Sequence, residues 1–165
     1  MKTTPKIKRK NHVTAAVAVY LVLTRDNKIL FGRRQNTGFQ DGKWQVFAGH
    51  VERPELPAAA AIREAKEELG IDIAIDDLRL IHICVRPDHD GFGNRVDMFY
   101  DIRRWQGGIV NMEPHKCSEM GWFAHGAFPP DTVPHVRHCL ELVNAGSTYS
   151  ELDMAWLKSH YPKPA

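Results

Sequence analysis

Between Gly49 and Ile71 the chain reads GHVERPELPAAAAIREAKEELGI, a stretch that carries five glutamates (Glu52, Glu55, Glu64, Glu67 and Glu68). Three of them, Glu64, Glu67 and Glu68, stand at i, i+3 and i+4. On an α-helix those positions share one flank, so the three carboxylates can meet. Like charges at that spacing destabilise a helix by about 0.2–0.5 kcal/mol per pair, and by more where water is excluded. Arg63 can pair with Glu67 one turn on, whereas Lys66 points away from the acidic flank. A solvated acidic helix face is the ordinary alternative. A divalent cation resolves the repulsion: Mg²⁺ takes oxygen ligands, keeps some of its waters and also binds substrate phosphates. Glu52 and Glu55, just upstream, can add to the same negative patch.

The helix that must carry these groups is predicted over Ala58–Leu69. Its sheet-facing side is Ala58, Ala61, Ile62, Ala65 and Leu69, and Gly70 follows at the position that favours left-handed backbone. Upstream, Val13–Leu23, a turn at Thr24–Lys28 and Ile29–Arg34 read as a strand hairpin. A short strand is expected around Trp44–Phe47, after a segment with Gly38, Asp41 and Gly42 as turn markers. Leu78–Val85 and Val96–Arg103 read as strands joined by the Asp- and Gly-rich loop at Asp88–Asn94, with a further strand at Gly121–Ala124. A second helix is predicted over Val136–Asn144, stopped by Gly146, and one more short helix over Tyr149–His160. Strands, helix, strands, helix imply a layered α/β fold in which helices cover a sheet.

A chain of 165 residues, 43% hydrophobic and 25% charged, has the size and composition of one soluble globular domain. The formal charge of +2 is too small to argue for nucleic acid as a partner. Positive charge gathers in residues 1–11, at Lys2, Lys6, Lys8, Arg9 and Lys10, which read as a solvated tail. Residues 12–146 then form the domain, and 147–165 a C-terminal extension packed on it. The apolar run Val13–Leu23 is too short to span a bilayer and too rich in β-branched residues for a leader, so it is expected to be a buried strand. Cys84, Cys117 and Cys139 show no C-x-x-C spacing and imply neither a zinc site nor a disulfide framework. A cytoplasmic protein is expected.

The segment Gly49–Ile71 resembles the Nudix box, G-x5-E-x7-R-E-U-x-E-E-x-G-U, with U an aliphatic residue. Gly49, Glu55, Arg63, Glu64, Glu67, Glu68 and Gly70 match every fixed position, and Ala65 and Ile71 stand at the aliphatic ones. Residue frequencies make such a match by chance rare, on the order of one in a million. The resemblance implies an α/β/α sandwich with a mixed sheet and a metal-dependent pyrophosphohydrolase using Mg²⁺ or Mn²⁺. It further implies that Glu64, Glu67, Glu68 and the carbonyl of Ala48 are metal ligands, with Glu64 alternatively the base acting on water. Arg63 would orient Glu64 and Glu67, and Glu55 would be an auxiliary carboxylate. Gly49 and Gly70 would serve tight turns. Ala48 and Phe47 depart from the commonest pattern, which has glycine and proline there, without removing a side-chain ligand.

Outside the box, Arg33–Trp44 is similar to a stretch in MutT-like members of the family. There Arg33 or Arg34 could meet phosphates and Phe39 could stack on a base, although a plain hairpin connection fits the same residues. Asn111–Cys117 resembles an N-x-E-P-x-K segment of nucleotide-cleaving members. Glu113 could supply a carboxylate from outside the box, as could Glu119 or Asp97, and Glu113 could equally pair with Lys116. The expected substrate is a nucleoside triphosphate cleaved to a monophosphate and pyrophosphate by a monomer or homodimer. ADP-ribose or a nucleotide sugar is the second choice, and a non-catalytic nucleotide-binding regulator the third.

Overall fold

A computed structural model describes residues 13–89, 91 and 93–162 of the chain; the basic residues of the expected 1–11 tail lie outside them. Its spine is β1 (Ala15–Arg25), every residue of which from Ala18 to Leu23 is buried. Alternate side chains leave opposite faces of a strand. Ala18, Tyr20 and Val22 accordingly join one core, and Val19, Leu21 and Leu23 another. A strand covered on both faces reads as a continuous apolar run, which is how Val13–Leu23 looks in sequence.

Around β1 are arranged β2 (Lys28–Arg34), β3 (Trp44–Gln45), β4 (Phe47–His50), β5 (Leu78–Arg86), β6 (Asn94–Ile102), β7 (Cys117–Ala124) and β8 (Tyr149–Glu151). The sheet is mixed. β6 runs parallel to β1 and pairs along nine residues, from Ala15–Asn94 to Leu23–Ile102. β4 lies antiparallel on the other side of β1, from Ala18–His50 to Leu21–Phe47. β2 holds β1 only at Thr24–Ile29 and Arg25–Lys28, the base of the hairpin, and otherwise pairs with β3 and β7. Two leaves thus diverge from one hairpin, and β4 faces the gap.

Helix α1 (Pro57–Leu69) covers one face and α2 (Pro134–Asn144) with α3 (Met154–His160) the other, giving the α/β/α sandwich expected. Proline at the first helical position starts α1, and Gly70, at φ 71°, ends it with its N–H bonded to the Lys66 carbonyl. The buried side of α1 is Ala60, Ala61, Ala65 and Leu69; Ala58 is only half buried. Four small or compact residues let the helix lie close to the sheet.

The expectation for Tyr149–His160 needs correction. Tyr149–Glu151 is a strand, pairing in parallel with Ile83–Val85, and only Met154–His160 is helical, capped by the Asp153 carboxylate on the Trp156 N–H. Short edge strands carry little periodicity of their own; the unpaired edge of β5 decides this one. Leu152 and Leu157, with relative exposures of 2% and 0%, belong to the same core as Tyr20 and Phe99. Leu157→Ala is therefore expected to cost about 2–5 kcal/mol of unfolding free energy in urea titration, whereas Met154→Ala, at an exposed site on the same helix, should change it by less than about 0.5 kcal/mol.

Candidate active site

A cleft of about 610 Å³ opens beside β4, large enough for a nucleotide. Its lining brings together β2 at Arg33 and Arg34, β4 at Ala48, Gly49 and His50, and α1 at Arg63, Glu64, Glu67 and Glu68. Glu113 and Lys116 enter from the loop before β7, and Arg86, Arg95 and Asp97 from the β5–β6 hairpin.

The carboxylates reach the cleft because α1 and β4 nearly touch. A Cβ built on Gly49 would lie 1.9 Å from Glu64 Cδ and Oε1, so any side chain there would displace Glu64. Gly49 sits in a strand and is absent from the glycines with positive φ, so its need is close approach, not the tight turn expected for it. Gly70 does adopt the left-handed conformation.

Arg63 is the hub of the cluster. Its Nη1 donates to Glu64 Oε1 at 2.8 Å and to Glu67 Oε2 at 3.0 Å, and its Nη2 to the His50 carbonyl at 3.0 Å. Nε and Nη2 also grip Glu55 at 3.2 and 2.8 Å, while Glu55 Oε1 accepts from the Glu52 N–H. The guanidinium so tied is held above its usual, already high, basicity, first by Glu55 and then by Glu64. Glu55 does not line the cleft, whereas Glu52 does. The contacts of Glu55 make it a support for Arg63.

Glu68 has the opposite fate. Burial, then the charges of Glu64 and Glu113, push its carboxyl up to about 8, opposed by Lys116 and the Ala48 backbone. Its Oε2 is buried without a hydrogen-bond partner. Glu64 is also raised, by burial first, although Arg63 pulls the other way. An unpartnered buried carboxylate oxygen is costly in isolation. Among the described residues no three His, Cys, Asp or Glu side chains already stand in a coordinating arrangement, and Arg63 holds Glu64 and Glu67. The donor set, hard carboxylate oxygens with one left unsatisfied, nevertheless fits a Mg²⁺ or Mn²⁺ ion.

The residues named outside the box are placed variously. Arg33 is drawn to Glu119 at 2.9 Å and Asp131 at 3.6 Å. Arg34 donates to the Phe39 carbonyl at 2.7 Å and to Thr37 at 2.7 Å, pinning the 35–43 loop, with its guanidinium 5.5 Å from the Phe39 ring. Phe39 lines the cleft, backed by Tyr161 at 6.0 Å. Of the three outside carboxylates, Glu113 shares the field of Glu64 and Glu68, and it pairs with Lys116 at 2.8 Å. Asp97 is locked to Arg86, and Glu119 to Arg33.

His50, Arg86 and Arg95 line the cleft without having stood out in sequence as site residues. A signal existed: His82, Cys84 and Arg86 alternate with Ile83 and Val85 along the second half of β5, as Arg95 and Asp97 alternate with Val96 on its partner. Inward-facing polar residues at strand parity mark a cavity when they recur on paired strands.

The NUDIX domain model matches residues 13–143. The chain belongs to the Nudix family. Among solved structures, a MutT NUDIX hydrolase from Burkholderia pseudomallei superposes with a TM-score of 0.70 at 26% identity, covering 78% of this chain and 97% of that one. A CTP pyrophosphohydrolase of Escherichia coli strain K12 is 36% identical over 64 residues, 39% of this chain and 47% of that protein. An ADP-ribose pyrophosphatase of Methanocaldococcus jannaschii is 32% identical over 93 residues, 56% of this chain and 53% of that protein. The matches thus span about half the length of each of these two curated relatives. No helix among the described residues is long and apolar enough to cross a membrane.

Two outcomes are expected. In metal-free protein the protonated Glu68 stabilises the fold, because its carboxyl binds a proton more tightly folded than unfolded. That contribution is complete below its ordinary value of 4.5 and is lost as pH rises through about 8. Thermal denaturation in chelator should therefore show Glu68→Gln melting above the parent protein, by a margin that widens from pH 6 to about pH 8. Gly49→Ala, in contrast, should abolish activity while circular dichroism shows the sheet intact; near-parental turnover would mean that Glu64 is free to move aside.

Proposed function

We propose that this Nudix chain hydrolyses a phosphoanhydride bond of a nucleoside triphosphate, releasing a monophosphate and pyrophosphate. The observation that carries the reading is the unpartnered, buried Oε2 of Glu68 beside Glu64, in a cleft that also contains arginines. Carboxylates and guanidinium groups in one nucleotide-sized cavity suit a polyanion only if a cation intervenes at the acidic side. Glu64, Glu67 and Glu68, with the carbonyl of Ala48, would hold Mg²⁺ or Mn²⁺. Bound there, the ion neutralises anhydride oxygens and acidifies water.

The chain's own residues supply position and proton transfer. Glu64 Oε1 is held by Arg63, which fixes the carboxylate at the point where β4 and α1 meet. Its other oxygen accepts the proton of the attacking water, and burial raises its affinity for that proton. Glu55 keeps Arg63 in place through two contacts and so acts through it. Arg34 lines the cleft, is tied to the Phe39 carbonyl and Thr37, and would present its charge to a phosphate there. Phe39, half-buried against Tyr161, offers a ring at the rim.

A second reading, cleavage of ADP-ribose, draws on the Methanocaldococcus relative, which matches a larger share of this chain than the CTP-cleaving one does. Both readings share the hydrolytic machinery and differ in the group attached beyond the anhydride. A panel of nucleoside triphosphates, ADP-ribose and nucleotide sugars, run with Mg²⁺ or Mn²⁺, separates them. Pyrophosphate release from triphosphates is the expected result. Turnover of ADP-ribose alone would overturn it. Glu64→Gln should lower kcat about 10²–10⁴-fold with KM little changed.

A further inference from the structure

Arg86 and Asp97 form an ion pair that the hydrolytic chemistry does not use. Arg86 Nε donates to Asp97 Oδ2 at 2.6 Å and Nη2 to Oδ1 at 3.4 Å, and the two residues are only 4% and 0% exposed. His135 Nε2 stands 4.0 Å from Asp97 Oδ2 and accepts or donates with the Tyr20 hydroxyl at 2.9 Å. Tyr161, reaching in from the end of α3, bonds His135 Nδ1 at 2.6 Å. A pair of this kind adds little net stability, because the cost of desolvating both charges offsets their attraction. What it does confer is a guanidinium fixed in one orientation.

That orientation faces the cleft. Asp97 is in register with Ala18 on one side and Cys84 on the other, and Ala18 is in register with His50. Ala18, a methyl in the centre of this row, leaves space over the sheet between His50 and the Arg86–Asp97 pair, and all four line the cavity. With its Nε edge spent on Asp97, Arg86 keeps Nη1 without a partner among the described residues. Its neighbours there are Arg95 and His50, so the region is rich in donors, and its carboxylate is already engaged. Such a surface matches two hydrogen-bond acceptors side by side.

We propose that Arg86 reads the nucleobase through two adjacent acceptors on one edge, with Asp97 positioning its guanidinium. Guanine offers O6 beside N7, and cytosine offers O2 beside N3. Adenine and uracil present no such pair: the adenine amino group separates N7 from N1, N1 and N3 diverge about C2–H, and N3–H separates the two uracil oxygens. The inference deepens the nucleotide-hydrolase reading and rests on it for the presence of a base. It assigns guanine or cytosine nucleotides as the substrate class, in preference to adenine and uracil nucleotides.

The test is calorimetric binding of α,β-methylene analogues of GTP, CTP, ATP and UTP to the full chain with Mg²⁺. The guanine or the cytosine analogue should bind about 10- to 100-fold more tightly than the adenine and uracil ones, and the comparison of those two arms names the base. Arg86→Lys keeps the charge and loses the fork, so it should erase most of that preference. Should Arg86→Lys fail to fold by thermal melting, the double variant Arg86→Gln with Asp97→Asn removes both charges together and should erase the preference likewise. Equal binding of all four analogues by the parent chain, or uniform weakening in the variant as for a phosphate contact, overturns the assignment of Arg86 while leaving the hydrolase reading intact. If no analogue binds, both fall together.

Discussion

The close contact between Gly49 and Glu64 is the constraint on which the site depends. With no Cβ on Gly49, α1 approaches β4 until the Glu64 carboxylate fills the space a side chain would take. That approach carries Glu68 out of water and sets Arg63 within reach of the His50 carbonyl. The helix is permitted so near because the residues it buries fully are three alanines and Leu69, with Ile62 only partly buried against the same core. A larger residue at Ala60, Ala61 or Ala65 would lift the helix, and the carboxylates with it.

Once the helix is seated, the acidic cluster is unequal by construction. Arg63 neutralises Glu55, Glu64 and Glu67 in part, through contacts of 2.8 to 3.2 Å. Glu68, on the flank nearer the sheet, receives no such partner and retains an unsatisfied oxygen. The repulsion implied by the i, i+3 and i+4 spacing is therefore concentrated on one residue. Burial contributes more to it than the neighbouring charges do. An acidic cluster of this form is destabilising without compensating positive charge, and a cation entering there would relieve it.

The opposite part of the cleft is built by different means. There the sheet itself supplies polar groups, because β5 and β6 place Arg86, Arg95 and Asp97 beside Ala18 of β1. The C-terminal segment supports this part from behind: β8 extends the sheet beyond β5, and α3 brings Tyr161 to His135 and against Phe39. Tyr161 lies outside the residues matched by the family model, which end at 143. The acidic cluster thus comes from a helix and a strand inside the matched region, whereas the contact that backs Phe39 comes from beyond it.

Local spacing determined much of this. The i, i+3 and i+4 glutamates, the left-handed Gly70 at the helix end and the doubly buried β1 are consequences of helical and strand periods, and each was legible from residue order alone. Box residues are legible because one helix carries most of them. Tertiary structure alone decided the rest. Glu55 and Glu68 are both glutamates of one motif, yet one serves as a clamp for Arg63 and the other as a desolvated, unpaired carboxylate. The distinction comes from how the segment before α1 folds back on Arg63 while α1 seats Glu68 against β4, a matter of packing between segments. Glu113, Glu119 and Asp97 were equivalent candidates in sequence; the fold gives each a cationic partner, and of the three it is Glu113, paired with Lys116, whose charge acts on Glu68. Arg86 and Asp97, eleven residues apart, become one rigid unit only through β5–β6 pairing, and Tyr149–Glu151 becomes a strand only because β5 offers an edge. Residue order limits what a side chain can do within its own element, and packing selects which of those possibilities is used, since burial and partners are supplied from elsewhere in the chain.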